Sequence, residues 1–275
     1  MRRSLMDRQK NPDWKYLEGD YYAAWRGERI VGTIAAFINH RHNKANDEHI
    51  GWFGAFDVVE DAEAARALLD TATEWVRAHG YGAIAGPQTF STHGDCGILI
   101  DGFVRPVLLM PYNFPYYARM VEDAGFGKRE DLYSFHLSRA QALQSGLNAQ
   151  IQQVVRNVTA QNGITVRAID RRRLKSEFEL FKEIYHGAFS DTDGFFEISK
   201  RELDHMVAQL GRYFDPEYAF FADIDGEPVG FVMGVPDFNQ VLQKAKPHPR
   251  VPEPITLLRA LWYWKVRPVM NWLRV

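Results

Sequence analysis

Residues 110–137 read MPYNFPYYARMVEDAGFGKREDLYSFHL, and their order of turn, helix, stop and strand decides the fold class. Pro111, Asn113 and Pro115 make a turn-rich entry to a short helix. Gly125 suits the left-handed position that ends a helix, and Phe126 can fold back onto its apolar side. Leu132, Ser134 and His136 then alternate with Tyr133, Phe135 and Leu137, which predicts a strand with two unlike faces.

Working outward from that stretch, Tyr21–Trp25, the turn Arg26–Arg29 and Ile30–Ile38 predict a β-hairpin. Its second strand, IVGTIAAFI, is almost wholly apolar, so it belongs in the middle of a sheet. HRHNKANDEH (residues 40–49) reads as a polar loop, followed by a strand over Ile50–Val59. Asp61–His79 is the clearest helix. It has an acidic first turn, Ala65, Leu68, Leu69, Ala72, Trp75 and Val76 at helical spacing, and Gly80 at its end. Tyr81–Ala85 reads as a short strand broken by Gly86-Pro87. Helices packed on one mixed sheet are the expected α/β arrangement.

Ser145–Gln161 predicts a polar helical connector that ends near Asn162-Gly163. A second module follows: a strand over Ile164–Ile169, helices over Arg171–Phe189 and Ser199–Tyr213, then a hairpin of Tyr218–Ile224 and Val229–Val235. AAWRGERIVGTIAAFI (residues 23–38) and FFADIDGEPVGFVMGV (residues 220–235) share a strand, a Gly-Glu turn, a Val-Gly step and an apolar strand. Duplication accounts for this better than coincidence.

Among the 275 residues, 46% are hydrophobic and 25% charged, a globular composition and not a disordered one. A net charge of -2 argues against a dedicated nucleic-acid binder. One cysteine, Cys96, allows no intramolecular disulfide and fits a reducing compartment. MRRSLMDRQKNPDW has no apolar run behind its arginines, and nowhere does the chain reach the roughly 18 consecutive apolar residues of a membrane span. A cytoplasmic protein is expected.

The order Asn113, helix, Gly125-Phe126 and strand resembles the closing segment of the GNAT N-acetyltransferase fold. GPQTFSTHGDCGILIDGF (residues 86–103) and MPYNFPYYARMVEDAGF (residues 110–126) look close to the tandem GNAT-like proteins of bacteria. The resemblance implies an α/β (α+β) fold in which a GNAT-like mixed sheet is flanked by helices, in tandem copies. Residues 1–140 would be the first GNAT-like domain, 141–163 a helical connector and 164–275 a partial second domain, with both ends reading as cut. It further implies transfer of an acyl group from a coenzyme A or carrier thioester to an amine, with acetyl-CoA or acyl-CoA as co-substrate and no metal. Members that N-acylate long-chain bases offer a looser resemblance, so the acceptor is a small-molecule or a lipid amine. A non-catalytic GNAT-like binding module is the alternative.

Residue by residue, the resemblance implies that the strand carrying Phe56 and Val58 faces the cofactor. The family's glycine loop for the pyrophosphate would fall on Val58–Ala65, which has no glycine and carries Glu60, Asp61 and Glu63. The first copy is therefore expected to hold coenzyme A poorly, if at all. The family's tyrosine acid falls on Val121, so Tyr116 and Tyr117, one turn earlier, either substitute as catalytic groups or bury their rings against the sheet. Arg41 and His42 face the acceptor side in such folds.

Ser91, His93, Tyr112 and Asn113 are candidate substrate contacts, because Gly86, Gly94 and Gly97 let backbone approach a ligand. Turn chemistry is the plainer account of that loop, and a His93–Cys96 nucleophile lacks an orienting partner. The loop histidines 40, 42 and 49 match no zinc spacing. His186 and Asp191–Gly194 sit in an inter-helix loop that borders the acceptor in GNAT folds. The C-terminal LLRALWYWKVRPVMNWLRV (residues 257–275) mixes tryptophan with cations. That combination suits peripheral membrane contact or a covered core surface. Oligomeric state is not legible.

Overall fold

In a computed structural model, which describes residues 6–90, 95–144, 146–189, 199–210 and 214–275, the apolar run Ile30–Ile38 lies inside a strand with a neighbour on each side. Strand β1 (Leu17–Arg26) pairs antiparallel with β2 (Arg29–Asn39), and β2 with β3 (Ile50–Val58). Side chains alternate along β2. Ile34, Ala36 and Ile38 enter one core with Phe53 and Val58, while Ala35 and Phe37 enter a second with Leu17, Trp52 and Phe90.

The expected polar loop at residues 40–49 is instead partly a helix, α1 (His40–Asn46). Its cap was present in the sequence: the Asn39 side chain accepts from the His42 amide, and Asp47 closes the other end in the left-handed conformation. Helix α2 (Ala62–Ala78) forms where expected, capped by Asp61 accepting from the Ala64 amide. Its buried residues Ala65, Leu68, Leu69, Ala72 and Val76 lie on the first core. Strand β4 (Ala83–Ala85) then joins β3 in parallel.

That parallel pairing lasts for three residues, from Ile50/Ala83 to Trp52/Ala85. Beyond it the chain still hugs β3. The Gln88 amide donates to Phe53 O at 2.9 Å, and a Cβ on Gly54 would stand 1.8 Å from Gln88 O. Ala55, at φ 47°, interrupts the β2–β3 ladder as a bulge. Helix α3 (Tyr116–Asp123) closes the first core with Tyr117, Met120 and Val121. It stops as expected: Gly125 takes φ 93°, the Phe126 amide returns to Val121 O, and the Phe126 ring meets Phe53 at 5.2 Å.

The strand expected at residues 132–137 does not form. These residues are irregular and solvent-facing, with Phe135 93% exposed. An alternating pattern needs a sheet edge against which to bury its apolar face, and among the described residues none pairs with it.

Two compact units divide the chain, residues 1–130 with 189–205 and residues 131–188 with 206–275. The second holds helices α4 (Arg139–Gln144), α5 (Leu147–Asn162) and α6 (Leu174–Phe189). Helix α7 (Lys200–Leu210) contributes Glu202 and Leu203 to the first unit. Strands β5 (Ile164–Ala168), β6 (Ala219–Ile224) and β7 (Glu227–Met233) make an antiparallel sheet in the second unit. Buried Glu177 and Asp223 share the Arg167 guanidinium, at 2.8 and 3.0 Å. A small pairing of β8 (Val235–Pro236) with β9 (Leu273–Arg274) gathers the chain end, near helices α8 (Asn239–Ala245) and α9 (Glu253–Leu261).

The two hairpins share one irregularity. Ala24 faces Gly32, Trp25 faces Ile30 and Arg26 faces Arg29, which leaves Val31 bulged. Ala222 faces Gly230, Asp223 faces Pro228 and Ile224 faces Glu227, which leaves Val229 bulged. The shared bulge falls at the Val-Gly step in both. The Gly-Glu dipeptides that mark the sequence repeat stand one residue out of register.

Candidate functional site at the end of strand β3

The far end of β3 has an unusual partner. The Val59 amide donates to Val31 O, so strand alternation turns the Val58 N–H and C=O toward the opposite edge, where β4 no longer runs. Two tyrosines of α3 take both groups. Tyr117 Oη accepts from the Val58 amide and donates to Asp57 Oδ1, each at 2.9 Å. Tyr116 Oη donates to Val58 O at 3.0 Å. The Phe56 ring lies edge-on to Tyr117 at 5.5 Å, and the exposed Phe114 ring stacks on Tyr116 at 5.5 Å.

Asn113 stands just ahead, its side chain accepting from the Leu99 amide and donating to Leu99 O, as a strand neighbour would. Phe56, Val58, Asn113, Tyr116 and Tyr117 are thus brought into one neighbourhood around β3 and α3. Tyr112 beside them is exposed.

Electrostatics keep these phenols neutral. Burial pushes the Tyr117 hydroxyl well above the ordinary tyrosine range, and the Asp57 carboxylate adds to it. Burial raises Tyr116 too, with Glu60 and Asp57 reinforcing it. A neutral phenol is a proton donor, but both donors are spent on the chain's own acceptors.

The adjoining helix start is also self-satisfied. Asp61 caps α2 and takes two bonds from Arg26, at 2.9 and 3.1 Å, while Glu63 takes a third at 2.6 Å. Arg26 and the Ala64 amide pull the Asp61 carboxyl down to about 2. A pyrophosphate needs free amides and no competing anion at a helix start. Here an aspartate already fills that role, so the residues present do not fit coenzyme A at this position.

Arg41 and His42 lie elsewhere, on α1 beside the start of β3. Eight residue steps along the strand, about 26 Å at roughly 3.3 Å each, take Ile50 to Val58. His42 is buried, with Nε2 2.8 Å from Glu48 Oε2 and its ring edge-on to Trp52 at 5.2 Å. Arg41 grips buried Glu202 in a two-bond fork, at 2.8 and 2.5 Å, over the Tyr16 ring at 4.2 Å. Burial opposes ionisation of Glu202, but Arg41 and Ser199 hold its carboxyl below the usual range. Asp13 beside it is pushed up to about 6, by burial first and then by Glu202.

Ser91, His93 and the inter-helix Asp191–Gly194 lie outside the described residues. The base of the Ser91 loop is pinned: the Thr89 amide donates to Asp95 O, and the Gly97 amide to Pro87 O. Burial raises the Cys96 thiol, and Glu130 and Asp95 raise it further, the reverse of what a nucleophilic thiolate needs. Among the described residues no group of three His, Cys, Asp or Glu side chains is placed to share a metal ion. The histidines of the 40–49 segment disperse: His40 toward Glu18, His42 toward Glu48, and His49 toward Gly80 O.

Asp57 escaped sequence reasoning, although a lone acid in the apolar strand IGWFGAFDV was the available signal. Buried Gln88, whose Nε2 has no hydrogen-bond partner among the described residues, escaped it as well and carried no such mark.

No family model matches the chain. It is similar to Protein YghO of Escherichia coli K12, 28% identical over 234 residues that make 85% of this chain and 59% of that protein. It is also similar to the bacterial ceramide synthase of Caulobacter vibrioides, 28% identical over 263 residues, 95% of this chain and 66% of that protein. The chain thus spans less than two thirds of the length of these curated relatives.

Proposed function

We propose that the whole protein is an acyltransferase of the GNAT superfamily, built from tandem GNAT-like units, that joins an acyl group to a long-chain lipid amine. The acyl donor is a coenzyme A or carrier-protein thioester. The observation that carries this is the similarity of 95% of the chain to a protein named bacterial ceramide synthase. Parallel strands that part after three residues beside a bulged strand, and two hairpins with the same bulge, support the fold reading.

Amide formation needs the amine to lose a proton as its nitrogen attacks the thioester carbon, and the departing sulfur to end protonated. Tyr116 and Tyr117 are badly placed for either task, since their protons bind Val58 O and Asp57. We therefore read the first unit as a binding or scaffolding unit within the acyltransferase, and its closed Val58 edge favours that reading.

The test is to incubate full-length protein with acyl thioesters and amines of graded chain length, reading amide by mass spectrometry and free thiol by absorbance. Amide is expected with long-chain amines. No amide from any pair would overturn the acyltransferase reading. Micromolar binding of acetyl-CoA to the 275-residue chain, by calorimetry, would overturn the closed first unit.

A further inference from the structure

Helix α9 faces the wrong way for a core helix. It runs from Glu253 to Leu261 and continues as one wide turn over Trp262–Val266, and no residue of either part is buried. Ile255, Leu258, Leu261 and Trp262 recur at three- and four-residue steps, so they share one side of the helix. Each is between 43% and 67% exposed. Trp264, by contrast, turns inward and meets the Phe238 ring at 5.3 Å. The segment is held by Trp264 and presents leucine and tryptophan to solvent.

Charge names the partner. Residues 246–275 hold Lys246, Arg250, Arg259, Lys265, Arg267 and Arg274 against the single carboxylate Glu253, in a chain whose net charge is -2. Arg259 stands one turn from Ile255, and Lys265 one turn from Leu261, so cations border the apolar stripe. A protein interface of this kind would be depleted of lysine at its centre. Leucine and tryptophan interleaved with arginine and lysine instead match the boundary between anionic headgroups and acyl chains. At about 1.5 Å per residue, α9 and its last turn measure about 20 Å, too short to cross a bilayer and well suited to lying in its plane.

We propose that the outward face of α9 docks in the plane of an anionic phospholipid membrane, with Leu258, Leu261 and Trp262 inserted and Arg259, Lys265 and Arg267 at the headgroups. This stands without the acyltransferase reading, because vesicle binding requires no turnover. If both hold, docking brings the protein to where a long-chain amine resides.

Co-sedimentation of the 275-residue chain with vesicles tests it, using phosphatidylcholine alone or with about one third phosphatidylglycerol. We expect binding to the anionic vesicles, with blue-shifted tryptophan emission, and at least about tenfold less to phosphatidylcholine or in high salt. Leu258→Glu with Trp262→Glu should lower anionic binding about tenfold or more without changing the unfolding transition. Lys265→Glu with Arg267→Glu should remove the lipid-charge preference. Equal binding to both vesicle types, or anionic binding unchanged in the Leu258→Glu/Trp262→Glu variant, would overturn the proposal. So would dimers that this variant dissolves while vesicles bind no chain at all, since the face would then join two copies.

Discussion

Replacing Tyr117 with phenylalanine separates a structural hydroxyl from a catalytic one. The ring fills the same space, so packing against Phe56 and α2 is kept and only the oxygen is lost. Two bonds go with it, from the Val58 amide and to Asp57 Oδ1. Val58 is buried, so its stranded amide costs about 1–3 kcal/mol. Asp57 is exposed and regains water, so its bond adds little. We expect a loss of about 2 kcal/mol, or roughly 4–8 °C in Tm for a unit of this size. Urea titration is the assay, with a lowered midpoint and an unchanged slope as the expected result. An unchanged midpoint would refute the account of the β3 edge. Unchanged stability with turnover abolished would go further and make Tyr117 a catalytic acid substituting for the family's tyrosine, whose position is Val121 here.

Gly54→Ala should unfold the first unit, at a cost above about 4 kcal/mol, because the new carbon meets the Gln88 carbonyl in the backbone. Cooperative unfolding within about 1 kcal/mol of wild type would contradict this. Asp13 has its carboxyl raised to about 6, so the folded state holds the extra proton and stability falls as pH climbs from about 4 to 6. Asp13→Asn should flatten that fall in urea midpoints taken across the window, and should leave the protein more stable at neutral pH. Tyr117, and Tyr21 at about 12, are raised by burial, so their stabilisation is complete below the ordinary tyrosine value and is lost as pH rises beyond it. Exposed tyrosines such as Tyr112 and Tyr133 should ionise early and reversibly, and a remaining part of the phenolate absorbance should appear late and together with unfolding; early, reversible ionisation of all tyrosines would count against the raised values.

Much of the fold was legible because it rests on local periodicity. The apolar run of β2, the spacing of α2 and the Gly125-Phe126 stop each signal themselves within a few residues. Helix α1 was missed because its polar residues hide the cap that Asn39 supplies. The false strand at residues 132–137 shows the opposite error, since alternation is necessary for a half-buried strand and a partner edge is also required. The site was less legible still. Tyr116 and Tyr117 stand out in sequence, but only strand β3, through the Val58 backbone and the Asp57 side chain 58 to 60 residues away in the chain, determines what their hydroxyls do. Arg41 meets Glu202 across 161 residues, a pairing that no spacing rule suggests.

The tyrosine caps on Val58 bear on how this protein is lost as well as on how it works. A strand edge with open amides and carbonyls recruits other strands, and natural proteins cover such edges. In the first unit the cover is the start of an eight-residue helix, Tyr116–Asp123, whose N-cap makes no side-chain hydrogen bond, so the two tyrosine hydroxyls are what hold that end on the strand. When α3 lifts, the segment Ala55–Val58 becomes an adhesive edge before the sheet itself has melted. Self-association on storage or gentle heating should then track the opening of this one helix, and a substitution that firms its start would extend the protein's working life more than any repair of the core.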